Sequence, residues 1–148
     1  MKTRSEVQAV IFDKKDGRIV VLLVRKSDRR NRSRRWRLLK GGVNRGETKI
    51  DALRREIFEE TGLKDIEILR ETYNYEFAFG DTRHNVTSYL VKADSQNPIK
   101  LQRSELAAYL WIDKDDAGRL LHWRNEKEAV RSLDRYDLLV QGRTKKGG

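Results

Sequence analysis

Residues 41–63 read GGVNRGETKIDALRREIFEETGL, and the acids in this stretch fall at helical spacing. At about 3.6 residues per turn, Glu56, Glu59 and Glu60 stand at i, i+3 and i+4, on one side of a helix. Like charges so close cost free energy, and a chain of net charge +10 has little electrostatic reason to gather them. A bound cation offsets that repulsion. Carboxylate oxygens are hard ligands, suited to magnesium, manganese or calcium. With no Cys and two His, the chain is poorly equipped for a zinc site. The competing reading is a solvated acidic face with Arg54 and Arg55 as local ion-pair partners.

The flanks decide between the two. Gly41 is followed by five residues and Glu47, then by seven residues and Arg55-Glu56-Ile57-Phe58-Glu59-Glu60-Thr61-Gly62-Leu63. This resembles the Nudix box, G-x5-E-x7-R-E-U-x-E-E-x-G-U with U aliphatic, and every fixed position is filled. The resemblance implies an α/β (α+β) Nudix fold, a mixed β-sheet sandwiched between helices. It also implies metal-dependent hydrolysis of a pyrophosphate bond in a nucleoside diphosphate linked to another moiety. Such a bond is polyanionic and repels an anionic nucleophile, a barrier that Mg2+ (or Mn2+) lowers. By the same resemblance Glu56, Glu59 and Glu60 are metal ligands, with Gly41 offering a backbone carbonyl. Glu56 and Glu59 are catalytic candidates, and Arg55 orients a box carboxylate, Glu47 above all. Gly41, Glu47 and Gly62 support the box. Glu105 lies six residues before Trp111, where Nudix enzymes often place a further metal-binding or catalytic Glu; its other reading is an exposed loop or capping residue.

The length of 148 residues suits one domain, 1–148, with a basic tail over about 141–148 expected to fray. Apolar residues make up 37% and charged residues 38%, as in a globular protein with a heavily charged surface. No apolar run is long enough to span a bilayer, and MKTRSEVQAVIF lacks the apolar core of a signal peptide. The absence of Cys fits a cytoplasmic setting.

Residues 6–12 and 18–25 are β-branched apolar runs around a Gly17 turn, the pattern of a hairpin. Residues 36–39 read as a short strand. The box helix spans 48–61, with Ile50, Leu53 and Ile57 packing on the sheet and Gly62 ending it. Residues 66–79 and 86–93 read as strands joined by GDTRHN, and 109–112 as a last short strand. Asp113 caps a helix through His122. Residues 125–140 form an amphipathic helix with Ala129, Leu133, Tyr136 and Val140 on one stripe.

Around the box, Trp36 to Gly42 (WRLLKGG) resembles the W-x-F-P-K-G-G of diadenosine tetraphosphate hydrolases, with Leu38 and Leu39 replacing Phe and Pro. In that subfamily aromatic residues stack on adenine and nearby cations hold phosphates. Tyr73, Tyr75, Phe77 and Phe79 alternate and share one strand face, either as core or as a base-stacking platform. Tyr73, Tyr75, Lys40, Arg83 and His84 are the substrate-binding candidates. Seven cations and one acid lie between Lys26 and Arg37, suited to steering a polyphosphate or an RNA 5′ end, or simply to solvation. The expected partner is therefore a nucleotide or other polyphosphate, a dinucleoside polyphosphate or nucleoside triphosphate first. Alternatives are an RNA 5′-pyrophosphohydrolase, an inositol pyrophosphate phosphatase, or a non-catalytic RNA- or protein-binding module. Complete box glutamates speak against the last. No membrane partner is expected, and the sequence is silent on oligomeric state.

Overall fold

Lys2–Lys15 (β1) and Arg18–Lys26 (β2) form the hairpin that the apolar runs predict. Asp16 and Gly17 both take positive φ, 53° and 78°, a turn whose twist suits paired strands. The computed structural model describes residues 1–27 and 34–147, with side-chain surroundings as far as Tyr136. Arg29, Arg30 and Arg32 of the basic loop lie outside the described residues.

The elements continue with Leu39–Gly42 (β3), Lys49–Thr61 (α1), Ile66–Phe79 (β4), Thr82–Ala93 (β5), Leu106–Asp113 (β6), Lys114–Leu120 (α2) and Arg124–Gly147 (α3). The sheet order is β4-β5-β1-β2-β6, with β3 also on β1. The β1–β5 pair is parallel and the other pairs are antiparallel, so the sheet is mixed.

One edge of β1 changes partner along its length. Phe12–Lys15 pair with β2, whereas Glu6–Ala9 pair with β3. The sheet splits there, and the split opens a cleft between β3 and the β2–β6 pair.

Alternation along β1 feeds two cores. Val7, Ala9 and Ile11 pack under α1 with Leu53 and Ile57. Val10 and Phe12 pack under α2 and α3 with Ala117, Leu121, Ala129 and Leu133. Full burial of Leu53 and Ile57 contributes roughly 2 kcal/mol each to holding α1 on the sheet.

Several boundaries differ from those read in the sequence. The short strand is Leu39–Gly42, not 36–39; Trp36 and Arg37 make only single bridges, to Leu121 and Val24. The two glycines extend it, lying against Glu6 and Val7. GDTRHN is not a loop throughout. Gly80, at φ 63°, permits a tight turn, and β5 already begins at Thr82. Arg83 and His84 are therefore strand residues. Ile50 does not pack on the sheet: it stands in the first turn, 39% exposed, and Ala52 is buried instead. The last strand extends to Leu106–Asp113, and α3 runs to Gly147, beyond the end read at 140. Val140 lies outside the described side chains.

Candidate metal and phosphate site

Thr48 opens α1 by accepting from Asp51 N, and Gly62 closes it in the left-handed region at φ 77°, donating to Phe58 O. The helix so bounded carries Glu56, Glu59 and Glu60 to the cleft, which Glu105 lines from the turn before β6. The cleft holds about 330 Å³.

Arg55 knits the box together. Its Nε and Nη2 donate to Glu47 at 2.7 and 3.0 Å, and Nη2 also donates to Gly42 O at 2.9 Å. Nη1 donates to Glu56 at 2.9 Å and to Glu59 at 3.3 Å. Segment 41–47, from the end of β3 through the turn, is thereby tied to α1 by one planar fork. The hydrogen bonds from Arg55, with one from the Asn44 N–H, hold the Glu47 carboxyl down at about 2.

Gly41 lies so close to α1 that a Cβ there would stand 2.1 Å from Glu56 Cδ. Only glycine admits this approach of the backbone to the carboxylate.

The acids are under electrostatic stress. Burial pushes the Glu60 carboxyl up to about 7, and the neighbouring Glu56, Glu105 and Glu59 push the same way. Burial also raises Glu56 despite Arg55 beside it. Among the described residues no three carboxylate or imidazole groups converge on one point, since Glu56 and Glu59 turn to Arg55. The donor set nevertheless fits a hard divalent cation: Glu56, Glu59, Glu60 and Glu105 face one side of the cleft, and two of them, Glu56 and Glu60, are destabilised as anions.

Cations line the same cleft. Arg4, Lys26, Arg37 and Lys40 face it together with the acid Glu6. Lys40 Nζ stands 3.8 Å from Glu6 Oε2 and 4.9 Å from the Phe77 ring centre. Burial lowers the Lys40 pKa, opposed by the Glu6 charge. Glu6 also receives His84 Nδ1, and the His84 ring lies flat on Phe77 at 4.5 Å.

The expected substrate residues therefore divide. Lys40 reaches the cleft and His84 joins it through Glu6, whereas Arg83 is exposed on the opposite face of β5. Tyr73 and Tyr75 are neither free nor plain core. Tyr73 donates to Asn125 at 3.0 Å, and the Tyr75 hydroxyl accepts from Gln8 at 3.3 Å. Burial raises the Tyr75 phenol.

Sequence reasoning missed Arg4, Glu6, Gln8 and Glu126. Glu6 and Gln8 carried a signal, being polar residues at inward positions of the otherwise apolar run 6–12. Glu126 carried a fainter one, on the buried stripe of α3 with Ala129, Val130 and Leu133.

Comparisons with known proteins bear on the sequence and on the fold. An RNA pyrophosphohydrolase from Francisella tularensis subsp. mediasiatica is 30% identical over 99 residues, 65% of this chain and 63% of the relative. One from Bartonella clarridgeiae is 44% identical over 48 residues, 30% of this chain and 28% of the relative. The chain thus spans less than two thirds of these relatives in the matched stretches. The binary complex of a C. elegans Ap4A hydrolase superposes with TM-score 0.79 over 90% of this chain and 96% of that one. At 21% identity that likeness is one of fold. The NUDIX domain pattern matches residues 2–135, and the chain belongs to this family.

Proposed function

We propose that the chain is a magnesium-dependent pyrophosphohydrolase acting on a nucleoside 5′-polyphosphate, with water attacking phosphorus. One observation carries the reading: an acidic helix face and a set of basic side chains line one cleft, across a Gly41 that only glycine can fill. The acids suit a metal and the cations suit phosphate oxygens. When bound, the metal supplies charge neutralisation and activation of water.

Glu56, Glu59 and Glu60 would hold it, helped by Glu105 and the Gly41 carbonyl. Glu56 would also accept a proton from the attacking water. Arg55 acts as a positioning residue, keeping segment 41–47 and the Glu56 and Glu59 carboxylates in register. Lys40 and Arg4 would hold phosphate oxygens, with His84 and Glu6 setting the position of Lys40. Two substrate types fall within this class: the RNA 5′ end, favoured by the sequence relatives, and dinucleoside polyphosphates, named for the structural neighbour.

Release of phosphate or pyrophosphate with Mg2+ tests the reading. The panel is Ap4A, nucleoside triphosphates, 5′-triphosphorylated RNA and an inositol pyrophosphate, with wild type compared to Glu59→Gln and Glu60→Gln. Turnover lost in both variants is expected. Equal rates in all three proteins, or no product from any substrate, would sink it.

A further inference from the structure

Strand register builds a composite surface on one face of the sheet, beside the cleft. Phe79 pairs with Thr82, which pairs with Lys2; Phe77 pairs with His84, which pairs with Arg4. In the next rows Tyr75 leads across to Glu6 and Gly42, and Tyr73 to Gln8 and Lys40. An aromatic column on β4 thus runs beside a cationic column, Lys2 and Arg4 on β1 and Lys40 on β3. The rows are about 6.8 Å apart along the strands. That step exceeds the ~3.4 Å of a stacked duplex strand and suits a more extended polynucleotide.

The surface is graded. Tyr73 is tied to α3 through Asn125, Tyr75 and Phe77 are half-buried, and Phe79 is 79% exposed. Successive rings are 5.7 and 6.3 Å apart from Tyr73 to Phe77. Alternation sends Asn74 and Glu76 to the opposite face. Among the described residues neither Lys2 nor Arg4 has an ion-pair partner. Arg4 rests against Gly42, where a Cβ would stand 2.5 Å from its Nη2. The cationic column therefore ends at the box.

We propose that this surface holds the first nucleotides of a single-stranded RNA whose 5′ polyphosphate lies in the cleft, with phosphates along Arg4 and Lys2 and a base against the exposed Phe79, the face of Phe77 being covered by His84. Unpaired cations beside stepped aromatic rings match a chain that alternates anionic groups with π faces. A free nucleotide is satisfied by the cleft and the nearest ring, and leaves Phe79 and Lys2 without a role. The proposal rests on the pyrophosphohydrolase reading and narrows its substrate.

Binding and turnover test the two readings separately. A 5′-monophosphorylated RNA heptamer, which contains no phosphoanhydride, is titrated by fluorescence anisotropy against a dinucleotide. The heptamer is expected to bind about tenfold more tightly, with an affinity that falls steeply with salt. Phe79→Ala is expected to weaken the heptamer about fivefold and Phe79→Trp to restore it; Lys2→Ala reduces the salt slope by about one. Equal affinity for heptamer and dinucleotide, or no effect of Phe79→Ala, overturns the proposal. So does Phe79-dependent sedimentation with anionic vesicles in the absence of RNA binding. Nucleoside triphosphate turnover without RNA length dependence overturns the platform and leaves the hydrolase standing. Phe79-dependent RNA binding without turnover of any polyphosphate supports the platform and overturns the hydrolase.

Discussion

Arg37 and Glu126 lie 89 residues apart in sequence, yet Arg37 Nε donates to Glu126 Oε1 at 2.6 Å. The second Glu126 oxygen accepts from Leu38 N at 2.7 Å. Only 2% of the Glu126 side chain is exposed. This carboxylate fixes the segment leading into β3 against α3, and with it the position of Arg37 in the cleft. Glu126→Ala leaves a guanidinium and a buried N–H without their acceptor. A loss of about 3 kcal/mol in urea denaturation is expected, with a rise in KM. Glu126→Gln keeps part of the hydrogen bonding and should lose less. A loss below about 1 kcal/mol for the alanine variant would place the pair among weak surface contacts.

Gly41 faces Glu56 at a distance no side chain tolerates. In Gly41→Ala the new Cβ meets Glu56 Cδ and Cγ at 2.1 and 2.4 Å. The Glu56 carboxylate is the movable partner, so it shifts while the fold holds. Metal-dependent activity should fall about 10- to 100-fold, as when groups supporting a metal ligand are lost, with the melting temperature little changed. Magnesium titration of activity alongside thermal unfolding checks both halves. Unchanged activity would show that the Glu56 position is immaterial.

The box was legible because its chemistry is local. One helix and the few residues flanking it hold every fixed position, so spacing alone fixes which helix side chains share a face. The hairpin at Asp16–Gly17 and the caps at Thr48, Gly62 and Asp113 were legible for the same reason. The rest depends on partners distant in sequence. Lys40, Glu6, His84 and Phe77 come from three strands and β1 itself, and only the parallel β1–β5 register brings Glu6 under His84. No periodicity encodes a register. The β4 bulges between Ile68 and Arg70 and between Glu71 and Tyr73 were equally invisible. They shift alternation, and so decide which ring reaches α3. Ile50 failed the opposite way: the helical period was right, but a first-turn residue escaped the burial that period implies.

Asp13 supplies a pH signature remote from the site. Burial works to raise its pKa, but hydrogen bonds from Lys92 Nζ and from the Ser95 and Lys14 N–H groups outweigh it and leave the carboxyl at about 2, against 3.8 unperturbed. A carboxyl with a depressed folded pKa stabilises the fold above its unfolded value. That contribution is lost as pH falls from about 4 towards 2. It amounts to about 2 kcal/mol at neutral pH. Asp13→Asn should therefore be less stable than wild type at pH 7, with the gap closing through that acid window. Denaturation curves at a series of pH values measure the gap. A gap constant down to pH 2 would mean that Asp13 titrates normally and stabilises by shape alone.

Glu60 should show the reverse sign. Its carboxylate sits in a half-buried position near Glu56, Glu59 and Glu105, an arrangement that opposes ionisation in the metal-free protein. Glu60→Gln removes one anion from that crowd and keeps the volume. The variant should gain about 1 kcal/mol in metal-free buffer at neutral pH, as sites held in strain for function commonly do when relieved. Added Mg2+ should stabilise the wild type and leave the variant nearly unmoved, so the order of stability inverts at high metal. Thermal unfolding of both proteins across a magnesium series reads this directly. Parallel curves would mean that Glu60 neither bears the repulsion nor meets the cation, and the acidic helix face would revert to a solvated surface.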